Sequence, residues 1–541
     1  MAKNPDELMV RELKDTIKQL NETIKSLNAM LEEHRTREHV LQEQIDYLTK
    51  KLFGTSSEKR KAQIEGQMSL FNEAEEAASE NDPEPIPETI VREHTRKSKP
   101  TNKDKYANLP KEVVIVELPE SEMSCPECGT KLVRIGKKHI RDEVQFIPAE
   151  MKVISYYSAV YGCPECCAGN SPSGRGVIVE ASIKPALIEG SPASSSSAAW
   201  VIYQKYANSV PLYRQEQDWK TLHGVTLTRA TLGKWVIKCS LTHYKPMFNY
   251  FRGELLKRGF AMADESPIQV LKEPDKKPQS ESYMWLFRTG EDGGPPIILY
   301  KYSPSRAKYN AEDFLKGFNG YLETDGYQGY NNLPGVRRCC CWAHVRRAFC
   351  DAIPKGHDGD LSDPAVQGVA YCDKLFDYER RSRESGHSFE ERYKYRLEKE
   401  KPVLEAFWKW LDTLTPVKNS RLYKAKYYTL NRKEFLETYL EDGRCSLSNN
   451  LSENAIRPFT VGRKNWLFSD TVNGAEASAL CYTMVEMAKA NNLNVYKYLK
   501  YILDHRPTEN DPPEKLKLLA PWNEEVRKIC SVTKEETAGK E

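Results

Sequence analysis

Three acids sit where the hydrophobic pattern of the sequence changes. They are Asp264 in Gly259 to Val270 (G-F-A-M-A-D-E-S-P-I-Q-V), Asp325 in Tyr321 to Tyr330 (Y-L-E-T-D-G-Y-Q-G-Y) and Glu453 in Asn449 to Pro458 (N-N-L-S-E-N-A-I-R-P). Phe260 to Ala263 has the length of a short buried strand, and the pattern predicts that it ends on Asp264 and Glu265 before Pro267. One carboxylate at a strand end is ordinary. Three on one point repel each other and make little sense as packing, but they suit two hard divalent cations about 3.5 to 4 Å apart. The expected ion is magnesium, with manganese as a substitute, and the chemistry is in-line displacement at phosphorus by a water or a 3′-hydroxyl. Neighbours on a strand face opposite ways, so Asp264 and not Glu265 is assigned to the site. Arg457 lies one turn after Glu453 on the same helical face, where it could orient the carboxylate or a phosphate. Arg463, Lys464 and Trp466 add two cations and a stacking ring; a solvated hairpin, with Trp466 in the core, is the plainer alternative.

The elements that must position these acids can be read around them. Tyr283 to Thr289, Ile297 to Tyr302, Gly320 to Thr324 and Arg337 to Cys341 read as four further strands. Five strands, the first three in succession, followed by helices predict an RNase H-like α/β domain, in which the first and fourth strands are neighbours. Asp264 and Asp325 would then lie side by side. The stretch Cys341-Trp-Ala-His-Val-Arg-Arg-Ala-Phe349 turns the fifth strand into a helix and supplies Arg346 and Arg347 as candidate DNA contacts. Cys339, Cys340 and Cys341 read as small apolar thiols filling the core, with a second metal site that includes His344 as the other reading. Residues 351–445 are charged, aromatic-studded and helical in pattern (Tyr371 to Leu397, Val403 to Leu414, Lys433 to Leu440). They are expected to form an all-helical insertion between the catalytic halves 251–350 and 446–505. This explains why Glu453 follows Asp325 at about twice the spacing of Asp264 and Asp325. Residues 506–541 are a C-terminal tail.

Upstream, Cys125-Pro-Glu-Cys128 and Cys163-Pro-Glu-Cys166 can give four thiolates in a tetrahedron. With strand-like Lys131 to Ile135, Glu143 to Ile147 and Lys152 to Val160, they predict a DNA-binding zinc ribbon over 111–180. A redox C-x-x-C fits paired knuckles poorly. Because protein fills all four positions, this zinc should hold a fold and not catalyse. Over 181–250 a helix-turn-helix-like domain is expected: Leu212 to Lys220, a turn at His223-Gly224-Val225, then Thr228 to Lys238 with Thr228 as N-cap. Arg229 and Lys234 would face a duplex, though other helical hairpins share this pattern. From Val10 to Leu52 the apolar residues fall on a heptad (Val10, Leu13, Ile17, Leu20, Ile24, Leu27, Leu31, Leu41, Ile45, Leu48, Leu52). A dimerising coiled coil over 8–54 is expected, with a helix packed on its own chain as the alternative. Residues 55–110, acidic and Pro-rich then basic, cannot bury a core and read as a flexible linker.

The chain has 541 residues, enough for several domains, and 80 basic against 77 acidic residues give a net charge of only +3. Nucleic-acid binding must therefore come from local patches. No apolar run approaches 18 residues and the N-terminus has no secretion signal, so a cytoplasmic protein without membrane contact is expected. The 14 cysteines then read as thiols and metal ligands.

Nearly the whole chain resembles the transposases of the insertion-sequence-66 type, bacterial DDE enzymes. The resemblance rests on ordered motifs: Lys51-Leu-Phe-Gly54, the paired knuckles, P-L-Y-R-Q-E-Q at Pro211, A-D-E-S-P at Ala263, T-D-G-Y-Q-G-Y at Thr324, C-W-A-H-V-R-R at Cys341, the Asn449 stretch and G-R-K-N-W-L-F-S at Gly462. It implies that Asp264, Asp325 and Glu453 are the DDE triad. It further implies a nucleoid-associated enzyme that binds the terminal inverted repeats of its element, cuts the strands and joins them to target DNA, with accessory proteins of the same element as possible partners. A DNA-binding regulator, an inactive derivative, or a nuclease that cuts without joining are the competing readings.

Overall fold

The computed structural model describes residues 5–53, 151–157, 160–162, 178–180, 184–357 and 359–532. They fall into two compact units, one of residues 1–90, 186–215 and 228–530, the other of 91–185, 216–227 and 531–541. The four knuckle cysteines, the linker 55–110 and the first two ribbon strands lie outside the described residues. In the smaller unit, β1 (Val160–Gly162) pairs antiparallel with β2 (Ile178–Glu180). The strand expected over Lys152 to Val160 is corrected. Residues 152–157 carry no strand, and Val153 and Tyr157 are almost fully exposed, so among the described residues nothing pairs with them.

In the larger unit, α1 (Pro5–Phe53) is one uninterrupted helix whose heptad leucines and isoleucines stand about half exposed, Leu20 at 57% and Leu27 at 54%. The serine run before α2 (Ser195–Tyr206) is a helix start: Ser194 accepts from the Ser197 N–H at 3.1 Å, and Ser197 Oγ accepts from the Ser194 N–H at 3.0 Å. Next come α3 (Leu212–His223), whose residues from Glu216 on belong to the smaller unit, α4 (Arg229–Cys239), capped by Thr228 as expected, and α5 (Lys245–Leu256).

The sheet is built from β3 (Phe260–Lys272), β4 (Glu281–Thr289), β5 (Ile298–Ser303), β6 (Gly320–Thr324) and β7 (Val336–Cys340), in the order β5-β4-β3-β6-β7. The first three strands are antiparallel neighbours, while β3–β6 and β6–β7 are parallel. Helix α6 (Tyr309–Phe314) lies between β5 and β6 in sequence. A short β8 (Phe468–Thr471) pairs with the far end of β3. The expected end of the first strand is corrected: β3 runs through Pro267 to Lys272. Proline is tolerated because β6 pairs only as far as Met262 and β8 only from Gln269, so the flank of β3 at Pro267 needs no donor. Gly320 opens β6 because a Cβ there would collide with the Gly259 carbonyl.

After β7, α7 (Trp342–Cys350) leads to a run with helices and no strand: α8 (Pro364–Glu384), α9 (Phe389–Tyr395), α10 (Lys401–Thr413), α11 (Arg421–Leu430) and α12 (Lys433–Glu437). The single segment expected from Tyr371 to Leu397 is broken, with Gly386 in a left-handed turn and Ser388 capping α9. The chain returns through α13 (Asn450–Trp466), α14 (Val472–Ala490) and α15 (Val495–His505), and ends in α16 (Pro513–Leu518) and α17 (Glu524–Cys530). Helix α14 is buried on nearly all sides. Its Thr483 Oγ1 accepts from the Tyr300 N–H at 2.9 Å, so it covers the free edge of β5.

One core acid works against this packing. Glu323 of β6 is fully buried and both its carboxylate oxygens lack hydrogen bonds. Burial, and next the Cys341 thiol, hold its pKa well above the usual carboxylate range. The unfolded chain thus releases this proton near pH 4.3 while the folded chain keeps it, so stability falls as pH rises above that value. Glu323→Met should raise the thermal midpoint by several degrees at pH 8, about 2–4 °C per kcal/mol, and by less at pH 5. Calorimetry at the two pH values checks this; a lower midpoint at pH 8 would refute it.

Candidate active site

The parallel register sets the first two acids side by side. The last β3–β6 pair is Met262 with Glu323, and Asp264 and Asp325 each stand two residues beyond it, on strands about 4.8 Å apart. This is the crevice at the carboxyl ends of parallel strands, where the split between β3 and β6 opens. Asp325 Oδ1 accepts from the Tyr327 N–H at 2.8 Å, and its carbonyl accepts from Arg338 Nη2 at 2.6 Å. Asp264 Oδ1 accepts from the Glu265 N–H at 2.8 Å.

Glu453 arrives from a distant part of the chain in the first turn of α13, and that helix start is pinned from several sides. Asn449 Nδ2 donates to the Ala263 carbonyl at 3.2 Å, its N–H donates to Cys341 Sγ at 3.2 Å, and Arg288 Nη1 donates to the Leu451 carbonyl at 2.7 Å. Trp342 N–H donates to the Leu447 carbonyl at 3.0 Å just upstream. Burial first, then the charges of Glu265, Asp325 and Glu453, push the Asp264 carboxyl well above its ordinary range. A hard divalent cation would relieve that repulsion, and the donor set of oxygens, with Glu453 Oε1 buried and unpaired, fits one.

Glu453 also faces α7. Its Oε1 lies 3.6 Å from His344 Nε2 and its Oε2 3.9 Å from Arg347 Nη2. Cys341, His344 and Glu453 bring three potential metal-ligating atoms within 4.8 Å of one another. Burial and then the Glu453 charge push the Cys341 thiol up to about 12. His344 went unassigned among the site residues. The available signal was its three-residue spacing from both Cys341 and Arg347, which places all three on one helical face. Glu265, whose charge bears most on Asp264, is already held: Arg306 Nε donates to it at 2.8 Å, and the Tyr330 hydroxyl donates to its other oxygen.

The remaining candidates are spread more widely. Arg457 shares α13 with Glu453. Arg463 donates to the Pro267 carbonyl and so ties α13 to β3, while Lys464 is exposed. Trp466 packs under Lys205, 3.8 Å from its ring, and against Tyr206, which matches the packing alternative. Arg346 pairs with Asp373 of α8 at 2.6 Å. Arg229 and Lys234 are exposed on α4, the former beside the Tyr213 ring.

The wider comparisons agree on a class. Residues 190–477 match the family described as Transposase IS66 family, 122–167 match the zinc-finger binding domain of transposase IS66, and 40–114 match Transposase C of IS166 homeodomain. These matches make this chain a transposase. It belongs to the IS66 transposase family, whose model covers more than half of it. The chain is 29% identical over 431 residues to uncharacterized protein y4jD of Sinorhizobium fredii, covering 77% of this chain and 80% of that protein. It is 26% identical over 507 residues to y4hP of the same organism, covering 89% and 88%. Among solved structures, a chain of the Drosophila P element transposase strand transfer complex aligns with 56% of this chain and 93% of its own, at 10% identity and a TM-score of 0.32. A similarity that slight carries no argument here. Among the described residues, no helix is long and apolar enough to cross a membrane.

Proposed function

We propose that this transposase is a DDE enzyme with an RNase H-like catalytic domain, which binds the terminal inverted repeats of its element, cuts their strands and joins them to target DNA. The observation that carries the reading is the register that leaves Asp264 and Asp325 level on adjacent parallel strands, with Glu453 delivered beside them by α13. The strand order, with the first strand between the second and fourth, supports the RNase H-like assignment. Asp264, Asp325 and Glu453 would hold two magnesium ions, which supply charge neutralisation at the phosphorus and an activated attacking oxygen when bound. The chain's own part is geometric: Asn449 fixes the start of α13, Arg347 and His344 flank Glu453, and Arg463 ties α13 to β3. Exposed Lys464, Arg229 and Lys234 are proposed phosphate contacts. The test is release of the element's end from a labelled duplex in magnesium, with calcium as the non-supporting cation. Absence of release under any divalent condition would leave a DNA-binding protein without nuclease chemistry.

The zinc of the finger is proposed to sit on Cys125, Cys128, Cys163 and Cys166, and α1 to pair with a second copy as a coiled coil. Supporting the second point, the a and d residues of α1 from Leu13 to Leu48 are half exposed in the single chain. Replacing Leu20 and Leu27 with Glu removes a seam contact in each partner, and sedimentation should change from dimer to monomer. A wild-type chain that sediments as a monomer even with DNA would overturn it.

A further inference from the structure

Cys341, His344 and Glu453 together have the makings of a zinc site, of which the proposed magnesium chemistry uses Glu453 alone. Cys341 is the residue before α7 and His344 stands on its first turn, while Glu453 comes from the first turn of α13 opposite. Their ligand atoms all lie within 4.8 Å of one another, and His344 Nε2 is 3.6 Å from Glu453 Oε1. Ligand atoms around a tetrahedral zinc stand about 3.3–3.6 Å apart, so that edge is already close to the required length. The missing partner shows at Glu453, whose Oε1 is buried, faces His344 Nε2 and makes no hydrogen bond. The backbone N–H of Asn449, 3.2 Å from Cys341 Sγ, is placed to support a thiolate.

We propose that Cys341, His344 and Glu453 form a second zinc site, separate from the finger, which takes Glu453 away from the magnesium ions and so switches strand cleavage off. Thiolate, imidazole and carboxylate are a borderline-soft set that selects zinc over magnesium. Binding releases the Cys341 proton to solvent and leaves one coordination position for water. The same oxygen, Glu453 Oε1, is the one both sites call on, and it cannot face a zinc on His344 and a magnesium between the aspartates at once. Zinc and the magnesium-dependent reaction therefore compete for Glu453, and this competition rests on the DDE reading above.

The test uses the full chain with its finger loaded, so that the finger's zinc cancels between variants. Equilibrium dialysis against zinc should find one more ion on the wild type than on His344→Ala or Cys341→Ser. Cobalt substitution should give a thiolate charge-transfer band that the Cys341→Ser difference spectrum lacks. Cys341 is buried and its variant could fail to fold, whereas His344 is partly exposed, and its variant carries the test alone if needed. In magnesium, added zinc should depress end release by wild type at least tenfold while His344→Ala keeps its own zinc-free rate. Equal zinc counts on wild type and His344→Ala would overturn the site. An extra ion that leaves cleavage unaffected would overturn the competition. A chain that takes up the extra ion but cuts no DNA in magnesium would keep the site and overturn the DDE reading, so the two failures are distinguishable.

Discussion

Asp264→Asn, Asp325→Asn and Glu453→Gln should each lower release of the element's end by about 10³-fold or more, on the order of 4 kcal/mol of barrier, while DNA affinity stays within about twofold. Each change removes one charged oxygen from a set that must hold cations against the charge developing at phosphorus. None removes the cationic side chains proposed to set affinity. The informative control is Glu265→Gln. Glu265 is the immediate neighbour of Asp264 and its side chain is also buried, but its carboxylate is committed to Arg306 and Tyr330. A glutamine keeps an acceptor for Arg306, so end release should fall by less than tenfold. Single-turnover cleavage and a filter-binding titration on all four variants make the comparison. If Glu265→Gln abolishes cleavage while any triad variant keeps near wild-type activity, the assignment of faces on β3 is wrong.

Much of the fold around the candidate site is legible in the sequence, and what is not has identifiable causes. Five of the six strands of the sheet are legible in the sequence, whereas β8 (F-S-D-T), short, polar and half exposed, is not. The end of β3 was not visible. Pro267 is a breaker by local rules, and only the early end of β6 and the late start of β8 explain its tolerance, which are facts of pairing and not of composition. Helix α11 is hard to read in the sequence because its run of Tyr423, Tyr427 and Tyr428 lacks an obvious apolar stripe; its one local signal is Ser420, which caps the Tyr423 N–H at 3.1 Å. The neighbours of Glu453 were the hardest. His344 is more than a hundred residues away in sequence, and only α13 docking against α7 brings the two together.

The same dependence on distant parts of the chain makes Arg396 the most consequential residue outside the acids. It is fully buried in the helical run and uses all five of its N–H donors. Nε and Nη2 donate to Glu379 at 2.6 and 3.0 Å, Nη1 to the carbonyls of Tyr439 and Asp442 at 2.8 and 2.9 Å, and Nη2 to the Cys445 carbonyl at 2.8 Å. Burial alone would raise the Glu379 carboxyl, but Arg396 and then Arg392 outweigh it and hold it down to about 2. With a folded pKa below the unfolded value near 4.3, this acid adds stability above pH 4.3 that is lost as pH falls toward 2. Arg396→Met strips the charge from Glu379's main partner and takes the donor from the buried Tyr439 and Cys445 carbonyls, while the Asp442 carbonyl keeps the Cys445 N–H, at a cost of about 3–5 kcal/mol. Those carbonyls lie on the segment that runs through Leu447 and Asn449 into α13. Loosening it should cost end release about 10²-fold or more, though no triad residue has changed. Arg396→Lys should rescue little, because a single ammonium cannot reproduce the planar fork. Arg396→Met with Glu379→Met should recover much of the stability, since Arg392 is 18% exposed and can turn to water. Hydrogen exchange across residues 439–453, read beside the melting temperature, separates the alternatives. Loss of protection there in Arg396→Met means the helical run positions Glu453. Unchanged protection with unchanged cleavage means that α13 is held by Asn449 and Arg288 alone.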